Sequence, residues 1–567
     1  MSDSPTDTGS GDDIKHSPTL ASRSPSLSAG GEDNSNGLSG DAASATASDE
    51  AILARLGYKQ EFKREFTNLS TISFAFSIMG VASSVVTTFN TPFGLGGPAS
   101  VVWCWFIGTF MCFCLGTSIA ELVSAYPTNG GLYSASVYLV PKRHRALMGW
   151  TVGWLNLLGQ AAGVASTEFG LAQMIFAAVS LSTEGRFVAN AWQTYLLFLG
   201  LLVIHGLLNS VGTRLLATMT RSFVFFNLGT VIAVIIALLI KTDHKNSADY
   251  TFTHFVNNSG WSSDGLTFLL GLLSVQWTMT DYDATAHISE EVKRAQFAAP
   301  AAIWIAVLGT GVAGFIYNIV FVLCSGDMAD TQDYGVSGYA PAEIIWRNVG
   351  PNGFYVLWAF ICVVAFQVVA TATQANGRSF HAFSRDKGMP DRGLFSKLAP
   401  NKVPVNAVWL VLFICALMGL LVFASSVAVN AVFALAAMGM DSSYLFAIVA
   451  RMIWKDHPEV QFKPGPFFLG EGWLGWTVRL VAIGWTSTVV IILGLPTIRP
   501  VTESNMNYAF AVTGGVMILA WLFFFGGGRK YYTGPRNILA EEKTQKKAPT
   551  GDDFVGEEIA KDMREEK

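Results

Sequence analysis

The sequence predicts an all-α polytopic membrane protein of about twelve transmembrane helices, on three observations. Hydrophobic residues make up 51% of the 567 and charged residues only 14%, whereas a soluble domain carries roughly 25% charge. Apolar runs of about 20 residues, enough to cross ~30 Å of hydrocarbon, recur along the chain. Lys and Arg collect in alternate connections between those runs, sixteen against five, as the positive-inside rule requires. The net charge of -4 argues against a general nucleic-acid binder.

Taken in order, residues 1–55 contain no apolar run and are rich in Ser, Thr, Asp and Gly. Such a segment buries too little to offset its ordering entropy, so a disordered cytosolic tail is expected. Residues 56–528 form the membrane domain, and 529–567 a second cytosolic tail. The apolar runs within the domain cover roughly 69–91, 98–124, 146–181, 192–210, 217–241, 265–286, 298–324, 353–376, 405–424, 427–452, 474–495 and 507–526. The third is long enough to tilt or protrude. With the N-terminus in the cytosol, the basic connections carry Lys142, Arg143, Lys293, Arg378, Arg385, Lys387 and Arg451, among others. The opposite side carries Asp327, Asp330, Asp333 and Glu343, and also Asn257, the asparagine of an Asn-x-Ser glycosylation sequon. Both termini are then cytosolic.

Two runs read as interrupted. The first contains Ser77-Ile78-Met79-Gly80-Val81-Ala82-Ser83-Ser84, and the sixth Gln276-Trp277-Thr278-Met279-Thr280-Asp281-Tyr282-Asp283. They occupy corresponding places in two sets of five helices, the pattern of a five-plus-five inverted repeat followed by two C-terminal helices. A broken helix leaves backbone groups unpaired, which membrane interiors tolerate only beside a cavity or inside protein. Free N–H groups near Ser77, Met79, Gly80 and Val81 suit a carboxylate. Free carbonyls around Trp277–Thr280 suit an ammonium. Glu168, an acid within the third run, is the candidate counter-charge for a cationic solute, and otherwise a structural carboxylate. Asp283 is either a solute ligand or the N-cap of the resumed helix. Phe74, Phe76, Trp277 and Tyr282 are candidate cavity walls. Asp441 either packs between helices or pairs with Arg451.

No catalytic residue is expected. His381 and Asp386 have HxxxxD spacing, but HExxH, GxSxG and P-loop patterns are missing from the sequence. The six cysteines each lie in or beside an apolar run and read as packing residues. No metal or cofactor is implied.

Four stretches carry a family resemblance: Phe74-Ala75-Phe76-Ser77-Ile78-Met79-Gly80; Ala120-Glu121-Leu122 through Tyr126-Pro127 to Gly130-Gly131-Leu132-Tyr133; Tyr282-Asp283-Ala284 to Glu290-Glu291; and Ser384-Arg385-Asp386-Lys387-Gly388-Met389-Pro390. The sequence resembles the amino acid–polyamine–organocation superfamily, and within it the fungal amino acid/choline transporter family. The resemblance implies alternating-access secondary transport of a small ammonium-bearing solute: GABA, an amino acid, choline or a polyamine. It assigns Glu121, Gly130 and Gly131 to gating or structure, and it implies proton coupling through Glu168, Asp283 or His205. The fifth run lacks the mid-membrane lysine that some relatives use in place of a cation. The plasma membrane is the implied location, a vacuolar or vesicular membrane the alternative. Rival readings are a carrier for an alkaloid or other nitrogenous secondary metabolite, and a nutrient sensor built on a transporter scaffold.

Overall fold

The computed structural model describes residues 49–532 and 534, except 425, 461 and 504. Most of the expected tail 1–55 and nearly all of 529–567 lie outside the described residues. Among those described, eleven helices are long and apolar enough to cross a membrane. The twelfth crossing is the sixth span, which falls in pieces: Asp264–Leu270, Leu273–Met279 and Ala284–His287. The others are Asn68–Thr88, Asn90–Ala125, Arg145–Ser182, Ala191–Asn209, Thr213–Lys241, Ala295–Leu323, Pro351–Arg385, Val405–Phe423, Ser426–Ile453, Trp473–Ile492 and Ala509–Gly526.

Local chemistry sets several boundaries. Thr67 and Ser70 form a reciprocal capping box at the start of the first span, and Asn190 with Gln193 does the same for the fourth. In the second span Gly97 takes φ 72°, ψ −164°, and Pro98 follows, so the membrane helix proper begins there. The second span packs on the seventh, the third on the eighth and the fourth on the ninth. These are the pairings that a two-fold relation between spans 1–5 and 6–10 produces. The first, third and tenth spans are mostly enclosed, while the fourth, fifth, ninth and twelfth show most of their surface. Exposed Ile204, Leu207, Phe225, Ile236, Leu519 and Leu522 form part of that apolar exterior, which suits hydrocarbon rather than water.

Two sequence expectations need correction. Ordered structure begins before residue 56: residues 49–55 are helical, Leu53 and Leu56 are buried, and Asp49 Oδ2 accepts the Arg294 N–H at 2.7 Å. The stretch of residues 49–56 is too short to establish a period, so only the docking of its leucines reveals the helix. The eighth span does not stop near residue 376 but runs to Arg385. Its last turns are charged, and a hydropathy boundary misses them because buried carboxylates neutralise those charges, as described below.

Candidate functional site

The first span breaks at one residue. Gly80 is left-handed (φ 46°, ψ 51°), and its N–H still reaches Phe76 O. A new helix then starts at Val81, with the Ser83 and Ser84 N–H groups both donating to Gly80 O. Asn227 of the fifth span bridges the break: its Oδ1 accepts from the Ala82 N–H at 3.0 Å, and its Nδ2 donates to Phe76 O at 3.2 Å. A Cβ on Gly80 would lie 2.1 Å from Val368 Cγ2, so the residue also permits close approach of the eighth span. Ser77 Oγ donates to Gln367 O and lies 3.3 Å from Thr371 Oγ1, tying the first half-helix to the same neighbour.

The sixth span unwinds over four residues. Its helix ends at Met279, Thr280 is extended, Asp281 is left-handed (φ 65°), and the helix resumes at Ala284. Asp281 Oδ1 and Thr280 Oγ1 are buried without a hydrogen-bond partner. Between the two breaks lies a cavity of about 30 Å³. Its walls are Ile78 and Ser84, Gly163 and Thr167, Trp277, Thr278, Thr280 and Asp281, Val368 and Ala372, and Met440. That volume is roughly one water molecule's share of liquid, so the spans must separate to admit a solute.

Of the candidates for solute contact, Trp277 and Thr280 line this cavity. Trp277 Nε1 donates to Ser166 Oγ at 3.1 Å, and its ring sits 5.0 Å from that of Phe433. Ser77, Met79, Gly80 and Val81 are buried around the first break, outside the lining set. Glu168 faces away: neighbouring Thr167 meets the cavity, whereas Glu168 Oε2 lies 2.9 Å from His205 Nδ1 of the fourth span, both side chains fully buried. Successive helical residues point about 100° apart, which accounts for the divergence. Phe74 packs edge-on against Phe66, and Phe76 against Gly309.

Asp283 stands at the N-cap position of the resumed helix, yet its side chain makes no cap bond. It accepts from Tyr444 Oη (2.7 Å) and Asn156 Nδ2 (2.9 Å) and meets His287 Nε2 at 3.1 Å. Gln160 Nε2 and Asn129 O hold the same imidazole. The Gly130-Gly131 pair belongs here too. Gly131 is left-handed, and a Cβ on it would lie 2.5 Å from His287 Cε1.

One end of the bundle is closed by a buried ionic cluster. Arg385 reaches both Glu290 oxygens (3.1 and 3.2 Å), and Arg378 bonds Glu291 at 2.8 Å. Asp386 accepts from Tyr58 Oη (2.7 Å) and Tyr133 Oη (2.9 Å). Burial, with Asp386 beside it, pushes the Tyr58 phenol well above its ordinary pKa. At that end Glu121 grips Arg479 of the eleventh span through two bonds of 2.7 and 3.0 Å. Sequence reading missed Arg479, although a lone arginine within an apolar run implies a buried acid nearby. Asp441 bonds Gln276 at 2.7 Å, and Arg451 pairs with Glu471 instead. Asn257 is exposed, and its amide nitrogen donates to Trp261 O and Asp264 Oδ1.

The sequence matches the amino acid permease family over residues 66–518. It is 42% identical to an uncharacterized amino-acid permease of Schizosaccharomyces pombe over 85% of this chain and 89% of that protein. Identity to amino-acid permease 2 of Neurospora crassa is 36%, covering 87% and 90%. Identity to the GABA-specific permease of Saccharomyces cerevisiae is 31%, covering 88% of each.

Proposed function

The chain belongs to the amino acid permease family, and from that premise we propose that it moves a small ammonium-bearing, amino-acid-like solute by alternating access. It is a multi-pass membrane transporter and not an enzyme. The observation that carries the solute reading is one cavity walled by residues flanking the first break, Ile78 and Ser84, and by Trp277, Thr278, Thr280 and Asp281 at the second. The helix starting at Val81 presents the positive end of its dipole there, which suits a carboxylate. The helix ending at Met279 presents its negative end, and Asp281 adds a carboxylate, which together suit an ammonium.

In this reading Trp277 and Thr280 touch the solute. Ser77, Met79, Gly80 and Val81 shape the break that holds its carboxylate. Glu168 and Asp283 hold the scaffold through His205, and through Tyr444, Asn156 and His287. Transport is proton-coupled. The end closed by Glu290–Arg385 and Glu291–Arg378 is the cytosolic one, because the basic connections lie there. Glu121, Gly130 and Gly131 support that gate. The termini are cytosolic, the membrane is the plasma membrane, and Asn257 is the external glycosylation acceptor. The similarity to amino-acid permease 2 and to the GABA-specific permease favours an amino acid or GABA over choline or a polyamine.

Uptake of radiolabelled GABA, neutral and cationic amino acids, choline and a polyamine, measured in cells with the matching endogenous carriers deleted, tests this. Saturable uptake of at least one ammonium-bearing solute is expected, reduced by Trp277→Ala and Thr280→Val at matched surface expression. Transport of uncharged solutes alone would refute it.

A further inference from the structure

Resting on that reading, we propose that Asp281 is the residue that carries the coupling proton and sorts solutes by net charge. The cavity wall contains this one carboxylate and no Lys, Arg or His. The rest of the wall outside the sixth span is Ile78 and Ser84 of the first span, Gly163 and Thr167 of the third, Val368 and Ala372 of the eighth, and Met440 of the tenth. None of these is ionisable. The nearest other titratable groups already have partners. Asp283 and His287 bind each other, Glu168 faces His205, and Asp441 holds Gln276. Asp281 differs in that, among the described residues, no hydrogen bond or ion pair holds its side chain, and its Oδ1 is buried. Its left-handed backbone, uncommon for a residue with a side chain, also places the carboxylate in the break itself.

Charge balance does the rest. An unpaired charge sealed from water at mid-membrane is costly. A zwitterion brings no net charge, so occluding it beside an ionised Asp281 seals in one negative charge. That state is relieved when a proton from the outer solution adds to a carboxylate oxygen of Asp281, to be released on the inner side after the solute leaves. A monocation neutralises the same carboxylate directly and leaves no place for the proton. One cavity therefore couples a zwitterion to one proton and carries a monocation with none.

The test uses the full chain in proteoliposomes, with the membrane potential clamped by potassium and valinomycin. Radiolabelled GABA and leucine serve as zwitterions, lysine and choline as monocations, and an internal pH dye reads proton entry. In the wild type, zwitterion entry brings protons and responds to a pH gradient, while monocation entry brings none and responds to potential. Asp281→Asn keeps the left-handed backbone, which Asn tolerates better than other residues with side chains. It should abolish proton entry with zwitterions, weaken but not stop their exchange, and weaken monocation affinity roughly 10- to 100-fold. Asp281→Glu should retain proton entry. Undiminished proton entry with zwitterions in the Asn variant overturns the assignment while leaving the transport reading intact. A wild type that carries no probe overturns the transport reading itself.

Discussion

Gly80→Ala probes the geometry of the first break directly. At φ 46° a Cβ is strained whatever surrounds it, at a cost of about 1–2 kcal/mol. Here the Cβ would also sit 2.1 Å from Val368 Cγ2, and forcing a methyl into a filled core costs about 1–3 kcal/mol. The alanine chain loses less entropy on folding, which offsets about 0.4–1 kcal/mol. The net destabilisation is therefore roughly 1–5 kcal/mol. The two parts separate in the double variant Gly80→Ala/Val368→Ala. Truncating Val368 relieves the overlap but not the backbone strain, so about 1–3 kcal/mol should return. Thermal unfolding of detergent-purified protein measures both variants, with uptake at matched surface expression alongside. A Gly80→Ala melting curve identical to wild type, or a double variant no more stable than the single one, refutes the reasoning.

Asn227→Ala strips the bridge from both half-helices, orphaning the Ala82 N–H and leaving Phe76 O with the Gly80 N–H alone. About 1–3 kcal/mol should be lost for the orphaned N–H, visible as a lowered melting temperature and slowed solute exchange; normal exchange kinetics would count against the bridge. Glu121→Gln should cost about 3–5 kcal/mol by leaving Arg479 buried and unpaired, and Glu121→Leu/Arg479→Met should recover most of it in a double-mutant cycle. Glu168→Gln should change stability but not solute affinity, since Glu168 faces His205 rather than the cavity; a large affinity loss at normal stability would return it to the site. Outside the spans, burial and then Asp330 push the Tyr250 phenol from 10.0 up to about 12. Because the folded value is the higher one, its stabilising effect is complete below pH 10.0 and disappears as pH rises to about 12. Tyr250→Phe should flatten alkaline unfolding in that window, checked by melting curves across it.

The spans, both breaks and the basic ends of the connections were legible from residue type and order. Each follows from a local requirement: hydrocarbon thickness, an unpaired backbone, or charge left in water. Gly80 and the Thr280–Asp283 stretch stood out for the same reason, because small or polar residues at mid-membrane have few other uses. Which acid faces the solute was not legible. Glu168 and Asp283 look equally exposed in sequence, yet one meets His205 and the other Tyr444, Asn156 and His287, while Asp281 is left in the cavity wall. Those partners lie on spans far apart in the chain, so helix packing and rotation decide them. The same holds for Arg378, Arg385 and Arg479. As single residues they read as solvent-facing connections or an isolated oddity, but Glu291, Glu290 and Glu121 bury them. A charge's cost depends on what stands within a few ångströms of it, and for this chain only the assembled bundle sets that distance.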